Sequence, residues 1–500
     1  MKEGLFLLVN KHFILTINLL LCFSLLYRPI YANEIELPDM GASSSIALTP
    51  HMEEQIGREI ATQIRNSHQI IDDLEINEYL QNLGYSLVAN SDDSYQNFHF
   101  FLIGSKQINA FATPGGVVAV YSGLFLTTEN ESELASVLGH EIAHVTQRHL
   151  ARSFEKASQL SLPIMAGMIA GILLGAAGGD AGLGAATAIG LSAAGQQAQI
   201  NYTRANEKEA DRVGMRYLAL SGYDPSGMPE FFQKLERKNR YVGKNYPEFL
   251  RTHPITINRI AEATQRAEQY KRQGIAFKSP LSYRLMKAKL TVITAVNANK
   301  AVQYYRAKTE KNSQTIHPEY YYGYGLALFK KQSYQQAIEV LRKLRAADPQ
   351  NTSYTIALAK AYIADGQQSD IKTGMKLLSK AVTNNPYNLV LTSNYAYALI
   401  QTGQFKKSIQ LLENYNKNNF KHPSIYKLLS LALGKEKQLV KAHIAESNYY
   451  HLNGMLQAAI EQLDIARKIT PKNDYYTLSK LDAQKQAIKQ EKSLYQMDDE

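Results

Sequence analysis

At 500 residues, with 45% hydrophobic and 20% charged side chains, the chain has ample surface to bury and is long enough for about three domains or fewer. A net charge of +10 is moderate, and the basic residues are spread along helices; no nucleic-acid motif accompanies them, and weak attraction to anionic membrane surfaces is the most the charge suggests. The one cysteine, Cys22, lies in an amino-terminal apolar run from Phe13 to Leu26, so a chain cleaved after that run has no thiol, which suits an oxidising compartment. Lys2 and Lys11 flank the start of this run and Ile30-Tyr31-Ala32 offers a cleavage site. Residues 1–32 are therefore expected to be a signal peptide, with Asn33 first in the mature chain. The run is short for a membrane span, and Leu21 is too large for a usual lipoprotein cleavage site.

Residues 50–90 read as helices, with Ile56, Ile60 and Ile64 four apart, then Leu80, Leu83 and Leu87. Phe98 to Ile103 and Val117 to Tyr121, the second after Pro114-Gly115-Gly116, read as strands of a small sheet. Asn130 with Glu133 predicts a capping box opening a helix whose apolar stripe is Leu134, Val137, Leu138, Ile142 and Val145. On that helix stands His140-Glu141-Ile142-Ala143-His144. Two imidazoles one turn apart share a face and can hold one Zn²⁺, and the carboxylate between them sits where it can polarise a hydrolytic water. His149, five residues after His144, faces away from the ligand side and reads as an ordinary polar-face residue.

Residues 160–200 are rich in Ala, Gly, Ile, Leu and Met, with Asp180 the one charge. Each half is below the roughly 20 residues that cross a bilayer, so a buried helical hairpin is expected, with a mobile lid or a membrane-touching segment as alternatives. A catalytic zinc needs a third protein ligand. Glu207 is the candidate, with Asp211 on the same helical face to orient a ligand imidazole and Glu209 pointing the other way. His253, held extended by Pro254, has three readings: an oxyanion donor, a reversible fourth zinc ligand, or a packed histidine in a turn. Arg259 is a weaker oxyanion candidate.

His140-Glu-x-x-His144 followed by Glu207-x-x-Ala210-Asp211, with Ile108-Asn-Ala-Phe-Ala-Thr-Pro-Gly-Gly before and Arg251-Thr-His-Pro-Ile after, resembles the gluzincin metallopeptidases related to HtpX and the CAAX prenyl proteases. The resemblance implies that His140, His144 and Glu207 ligate one zinc per chain and that Glu141 is the general base. It also implies that Asn109, Ala110 and Phe111 open an edge strand above the metal helix, to which an extended peptide adds. On the residues alone that segment is equally a plain hairpin.

The rest of the chain is a repeat array. Tyr321, Gly325, Ala337, Leu341 and Pro349 fall at tetratricopeptide positions; Leu378, Ala381 and Pro386 mark a second unit, Ala396, Gly403 and Leu412 a third, and Tyr450, Gly454, Ala459, Leu463, Ala466 and Pro471 a fourth. The expected fold is mainly α with a small β-sheet: a gluzincin-type zinc metallopeptidase domain over 33–275, an α-solenoid of such repeats over 276–479, and a polar helix or tail over 480–500. Because the periodicity needs no contact with the peptidase half, the repeats are expected to be a separate module. With repeats attached, the resemblance is to periplasmic members of the family that act as protease and chaperone in outer-membrane assembly. It implies misfolded or stalled envelope proteins as substrates and the outer-membrane protein assembly machinery as a partner of the repeats, with a chaperone or assembly factor as the alternative function. Sequons at Asn130, Asn201 and Asn351 favour a bacterial periplasm over a eukaryotic secretory route, since two of them flank the metal helices.

Overall fold

The computed structural model describes residues 48–67, 69–93, 97–156, 193–242, 247–271, 280–311, 317–419 and 421–494. The signal peptide with Cys22, most of the 160–200 segment and residues 495–500 lie outside the described residues, as does the expected boundary near 275. Helix α1 (Pro50–Asn66) is capped by Thr49, whose hydroxyl accepts from the Met52 amide, and buries Ile56, Ile60 and Ile64 on one face. Helix α2 (Leu74–Val88) is capped by Asp73 and buries Ile76, Leu80, Leu83 and Leu87.

Strands β1 (His99–Ile103), β2 (Ala110–Thr113) and β3 (Val117–Tyr121) form a sheet of order β1-β3-β2, with β1 parallel and β2 antiparallel to β3. Every residue of β3 is buried, because its alternate side chains enter two cores. Val118 and Val120 pack with α2, while Val117, Ala119 and Tyr121 pack with α1. β2 is the edge strand. Its turn into β3 passes so close to α1 that a Cβ on Gly115, at φ 77°, would sit 2.3 Å from the Glu53 carbonyl oxygen.

After the short α3 (Ser122–Thr127) comes α4 (Glu131–Thr146), buried along nearly its whole length. Asn130 caps it by accepting from the Glu133 amide. The expected capping box is altered: the Glu133 carboxylate accepts from the Glu129 amide and holds the buried Lys234 ammonium instead. Helix α5 (His149–Lys156) follows after Arg148, at φ 51°, reverses the chain. Helix α6 (Ala193–Leu220) lies across α4, with α7 (Gly227–Val242), the single turn α8 (Glu248–Thr252) and α9 (Ile257–Lys271) completing this half. Gly139 and Gly214 face each other at the α4–α6 crossing. A Cβ on Gly214 would lie 2.8 Å from Gly139 backbone and 2.9 Å from the His140 nitrogen.

The repeats follow as paired helices, each packed on the next. The pairs are α10 (Leu281–Thr294) with α11 (Ala298–Lys311), α12 (Pro318–Lys330) with α13 (Tyr334–Ala347), α14 (Thr352–Asp365) with α15 (Gln368–Asn384), α16 (Leu389–Gln401) with α17 (Phe405–Asn418), α18 (Pro423–Lys435) with α19 (Leu439–Leu452), and α20 (Leu456–Ile469) with α21 (Tyr475–Leu494). Two expectations are corrected here. Residues 480–494 take the helical of the two expected forms, but not as a separate segment: they belong to the second helix of the last pair, with Leu481 and Ile488 buried. Nor are the repeats independent of the peptidase half. A single core runs from Ile76 to Ala361. Tyr283 stacks on Phe125 and donates to the Thr128 carbonyl, and the Lys289 ammonium lies 2.7 Å from both Asp73 and Glu75. Repeat periodicity reports the faces that helices offer one another. It is silent on the face of α10, which no earlier repeat covers and which the peptidase half fills.

Candidate metal centre

The crossing of α4 and α6 assembles the site. His140 and His144, one turn apart on α4, bring their Nε2 atoms to 3.1 Å. From α6, Glu207 places one carboxylate oxygen 3.4 Å from each. The fourth donor comes from the turn after α8, where His253, at φ −123° and ψ 79°, stays out of the helical region that the following Pro254 disfavours. Its Nδ1 lies 3.3 Å from His140 Nε2 and 3.0 Å from Glu207 Oε1. The two Glu207 contacts use different oxygens, Oε2 towards His140 and Oε1 towards His144, and the four donor groups lie within 4.8 Å of one another, near enough to share one ion. Imidazole and carboxylate are also the donors that zinc takes.

Electrostatics favour a cation. With Asp211 and Glu207 facing it, His140 is raised to about 9 despite burial that opposes its charge. Burial opposes the Glu207 anion too, but the surrounding imidazoles hold its carboxyl well below the usual range. A divalent ion would supply in one place the positive charge these carboxylates attract. Burial pushes His144 down to about 3, leaving it a neutral donor.

Glu141 is buried beside the donors, its pKa raised by desolvation. The Ala112 amide of β2 donates to its carboxylate, while Oε1 has no hydrogen-bond partner among the described residues and faces His253 Nε2 at 3.5 Å. The free edge of β2 therefore runs directly above the base. Ala110 and Phe111 lie in that strand, and Asn109 is the buried residue before it. A cleft of about 230 Å³, lined by Phe111, Thr113, Glu141, His144, Val145 and His253 among others, opens between strand and helix.

Asp211 Oδ1 stands 3.0 Å from His140 Nδ1, the ring nitrogen turned away from the other donors. Arg259 grips Asp211 with Nε and Nη2 at 2.7 and 2.8 Å, reaches Glu207 Oε2 at 2.9 Å with Nη1, and donates to the Pro254 carbonyl. The oxyanion role expected of Arg259 is thereby corrected. Its guanidinium is buried behind the carboxylates and absent from the cleft lining, so it clamps the ligand set instead.

His149 is the second correction. The helix does not continue through it. Arg148 in the left-handed region turns the chain back, and His149 Nδ1 comes to 2.8 Å from His144 Nδ1, buried. No glycine or proline marks this break, so helical arithmetic carried His149 to the wrong face. The usable signal was Glu209, correctly placed on the side of α6 away from Glu207, where it meets His149 Nε2 at 3.0 Å.

Residues 75–267, which contain every one of these side chains, match the sequence profile of peptidase family M48. The beta-barrel assembly-enhancing protease of Escherichia coli K12 is 35% identical over 441 residues, 88% of each chain. Its Vibrio cholerae counterpart is 39% identical over 418 residues, 83% of this chain and 84% of its own. The human mitochondrial metalloendopeptidase OMA1 is 32% identical over 167 residues, 33% of this chain and 31% of its own.

Proposed function

Because the chain belongs to the beta-barrel assembly-enhancing proteases of peptidase family M48, and is thus a metallopeptidase, we propose that it is an exported zinc endopeptidase of the periplasm that cleaves misfolded or stalled envelope proteins. The observation that carries this is the gathering of His140, His144, Glu207 and His253, whose donor atoms lie within 4.8 Å of one another, beside the buried Glu141, whose Oε1 has no hydrogen-bond partner among the described residues. Zinc, when bound there, supplies the Lewis acid that polarises a peptide carbonyl and makes water acidic enough to attack it. The chain's own groups do the rest. The edge of β2 pairs with an extended substrate backbone and sets the scissile bond across α4. Glu141, with its pKa raised by burial, takes the proton from the attacking water and passes it to the leaving nitrogen. Asp211 and Arg259 hold His140 and Glu207 in place.

A second reading, a chaperone or assembly factor for outer-membrane proteins, draws support from His253. Its Nδ1 lies against His140 and Glu207, and were it to ligate a bound ion it would take the position that a hydrolytic water needs, which would favour a resting protein that binds without cutting. The partners of the repeats in either reading are envelope proteins and their assembly machinery, reached through export directed by residues 1–32. Among the described residues no helix is long and apolar enough to cross a membrane. Metal analysis and proteolysis of the purified mature protein test the proposal: about one zinc per chain is expected, retained by Glu141→Gln with cleavage reduced about 10²–10⁴-fold. Undiminished cleavage by that variant refutes the mechanism.

A further inference from the structure

The two ligand imidazoles of α4 need opposite supports. His140 turns its Nδ1 towards Asp211, which Arg259 anchors. His144 turns its Nδ1 the other way, out of the α4–α6 crossing, and no carboxylate lies against it. His149 does, at 2.8 Å between Nδ1 atoms with the rings edge to face at 77°. The proton positions follow from the geometry. His144 presents Nε2 to the donor cluster, so as a neutral ligand it carries its proton on Nδ1. The atom facing that proton must be a bare acceptor, which puts the His149 proton on Nε2. There Glu209 Oε2 accepts it at 3.0 Å, and Arg152 Nη2 fixes the same oxygen at 2.7 Å.

We propose that His149 and Glu209 are positioning residues for the metal: a relay from Glu209 through His149 fixes the ring plane and tautomer of His144, as Asp211 does directly for His140. The chain-reversing Arg148 is what delivers His149 to this place, and α6 then serves all three needs from alternate positions. Glu207 faces the donors, Asp211 backs one imidazole and Glu209 backs the other. An imidazole hydrogen-bonded through its far nitrogen is a more basic and better-oriented ligand, and loss of such a partner typically weakens metal binding about 10–100-fold.

The inference rests on the metal-centre reading, and the test separates the two. Asparagine places Oδ1 where His149 has Nδ1, whereas leucine has the same shape without an acceptor. Zinc affinity of the full mature chain would be measured by competition with a chromophoric chelator. His149→Asn should stay within about threefold of the parent protein and His149→Leu should lose about 10–100-fold. A role in packing alone would move both variants together, so equal loss, or no loss in either, overturns the proposal. Should His149→Leu fail to fold, Glu209→Gln decides. It keeps an acceptor but removes the charge, and should weaken zinc by a few fold; unchanged affinity overturns the relay. A parent protein that takes up no zinc overturns the metal reading and the relay with it.

Discussion

At the scale of single residues, the site divides into groups that face the cleft and groups that hold them. Glu141 and His253 face it; Asp211 and Arg259 stand behind, while His149 lines the cleft and supports His144 from there. His253 is the informative member, since its two nitrogens touch opposite partners, Glu207 on one side and Glu141 on the other. If it acts as a removable fourth ligand, His253→Ala should raise basal cleavage of an unfolded peptide while zinc stays bound. If it instead serves the oxyanion, the same change should lower turnover by about 10²–10³ with zinc retained. A peptidase assay with parallel metal analysis distinguishes these outcomes. Most of the ligand set was legible in the sequence because its members share helix faces at fixed spacings: His140 with His144, Glu207 with Asp211. His253 was legible as a candidate only, since a turn carries no period to say where its ring points. His149 was misread because the helix ends at Thr146 on an arginine-led reversal that no helix-breaking residue announces.

At the scale of elements, the crossing of α4 on α6 controls the centre. The two helices meet through glycine backbones, and that closeness brings Glu207 within reach of both histidines. Gly214→Ala should therefore do more than destabilise. Its Cβ meets main chain, which cannot rotate aside, so α6 must shift and carry Glu207 with it. A cost of about 1–3 kcal/mol in urea unfolding is expected, together with measurably weaker zinc binding. An unchanged zinc affinity would mean the crossing has slack. The repeats show what local signals reveal and what they hide. At the turns between helices, Gly366, Gly403 and Gly454 stand at positive φ, and those turns were legible. Gln332 and Lys437 take the same left-handed conformation without glycine. The first of these units was still found from its other positions. Helices α10, α11 and α18 carry none of the positions named in the sequence, and the fourth unit, with Tyr450 in α19 and Gly454 at the turn into α20, joins helices of two successive pairs.

At the scale of the whole molecule, the largely but not fully buried cluster of Lys289, Asp73 and Glu75 joins the two halves. Burial works against the Asp73 anion, but Lys289 outweighs it and its folded pKa is depressed; Lys289 itself is raised by Glu75 and Asp73 against its own burial. The signs give a window. The Asp73 contribution is present above the ordinary carboxylate value of 3.8 and is lost as pH falls through the depressed folded value; the Lys289 contribution is complete below 10.5 and is lost as pH rises through the raised one. Lys289→Met should cost about 3–5 kcal/mol between these limits, because it strands two buried carboxylates, and the difference from the parent should shrink towards both extremes in unfolding curves recorded across pH. A chain ended near residue 275 bares the face of Phe125 and Thr128 that Tyr283 covers. It is expected to be insoluble or readily proteolysed rather than an active fragment, and a well-folded, zinc-loaded fragment would show that the shared core is dispensable. The array also returns to the start of the chain. Arg65 of α1 donates to the Asn453 carbonyl across 388 residues of sequence, and Lys427 reaches Asp72 across 355. Such distant partners put the first helix last in the order of assembly. Arg65 can complete this contact only once the fifth helix pair, α18 and α19, has formed, so hydrogen-exchange labelling during refolding should find the carboxy-terminal end of α1 protected later than the sheet it packs on. The peptidase half is thus the first to be translated, yet its last contacts are made with residues near the far end of the array.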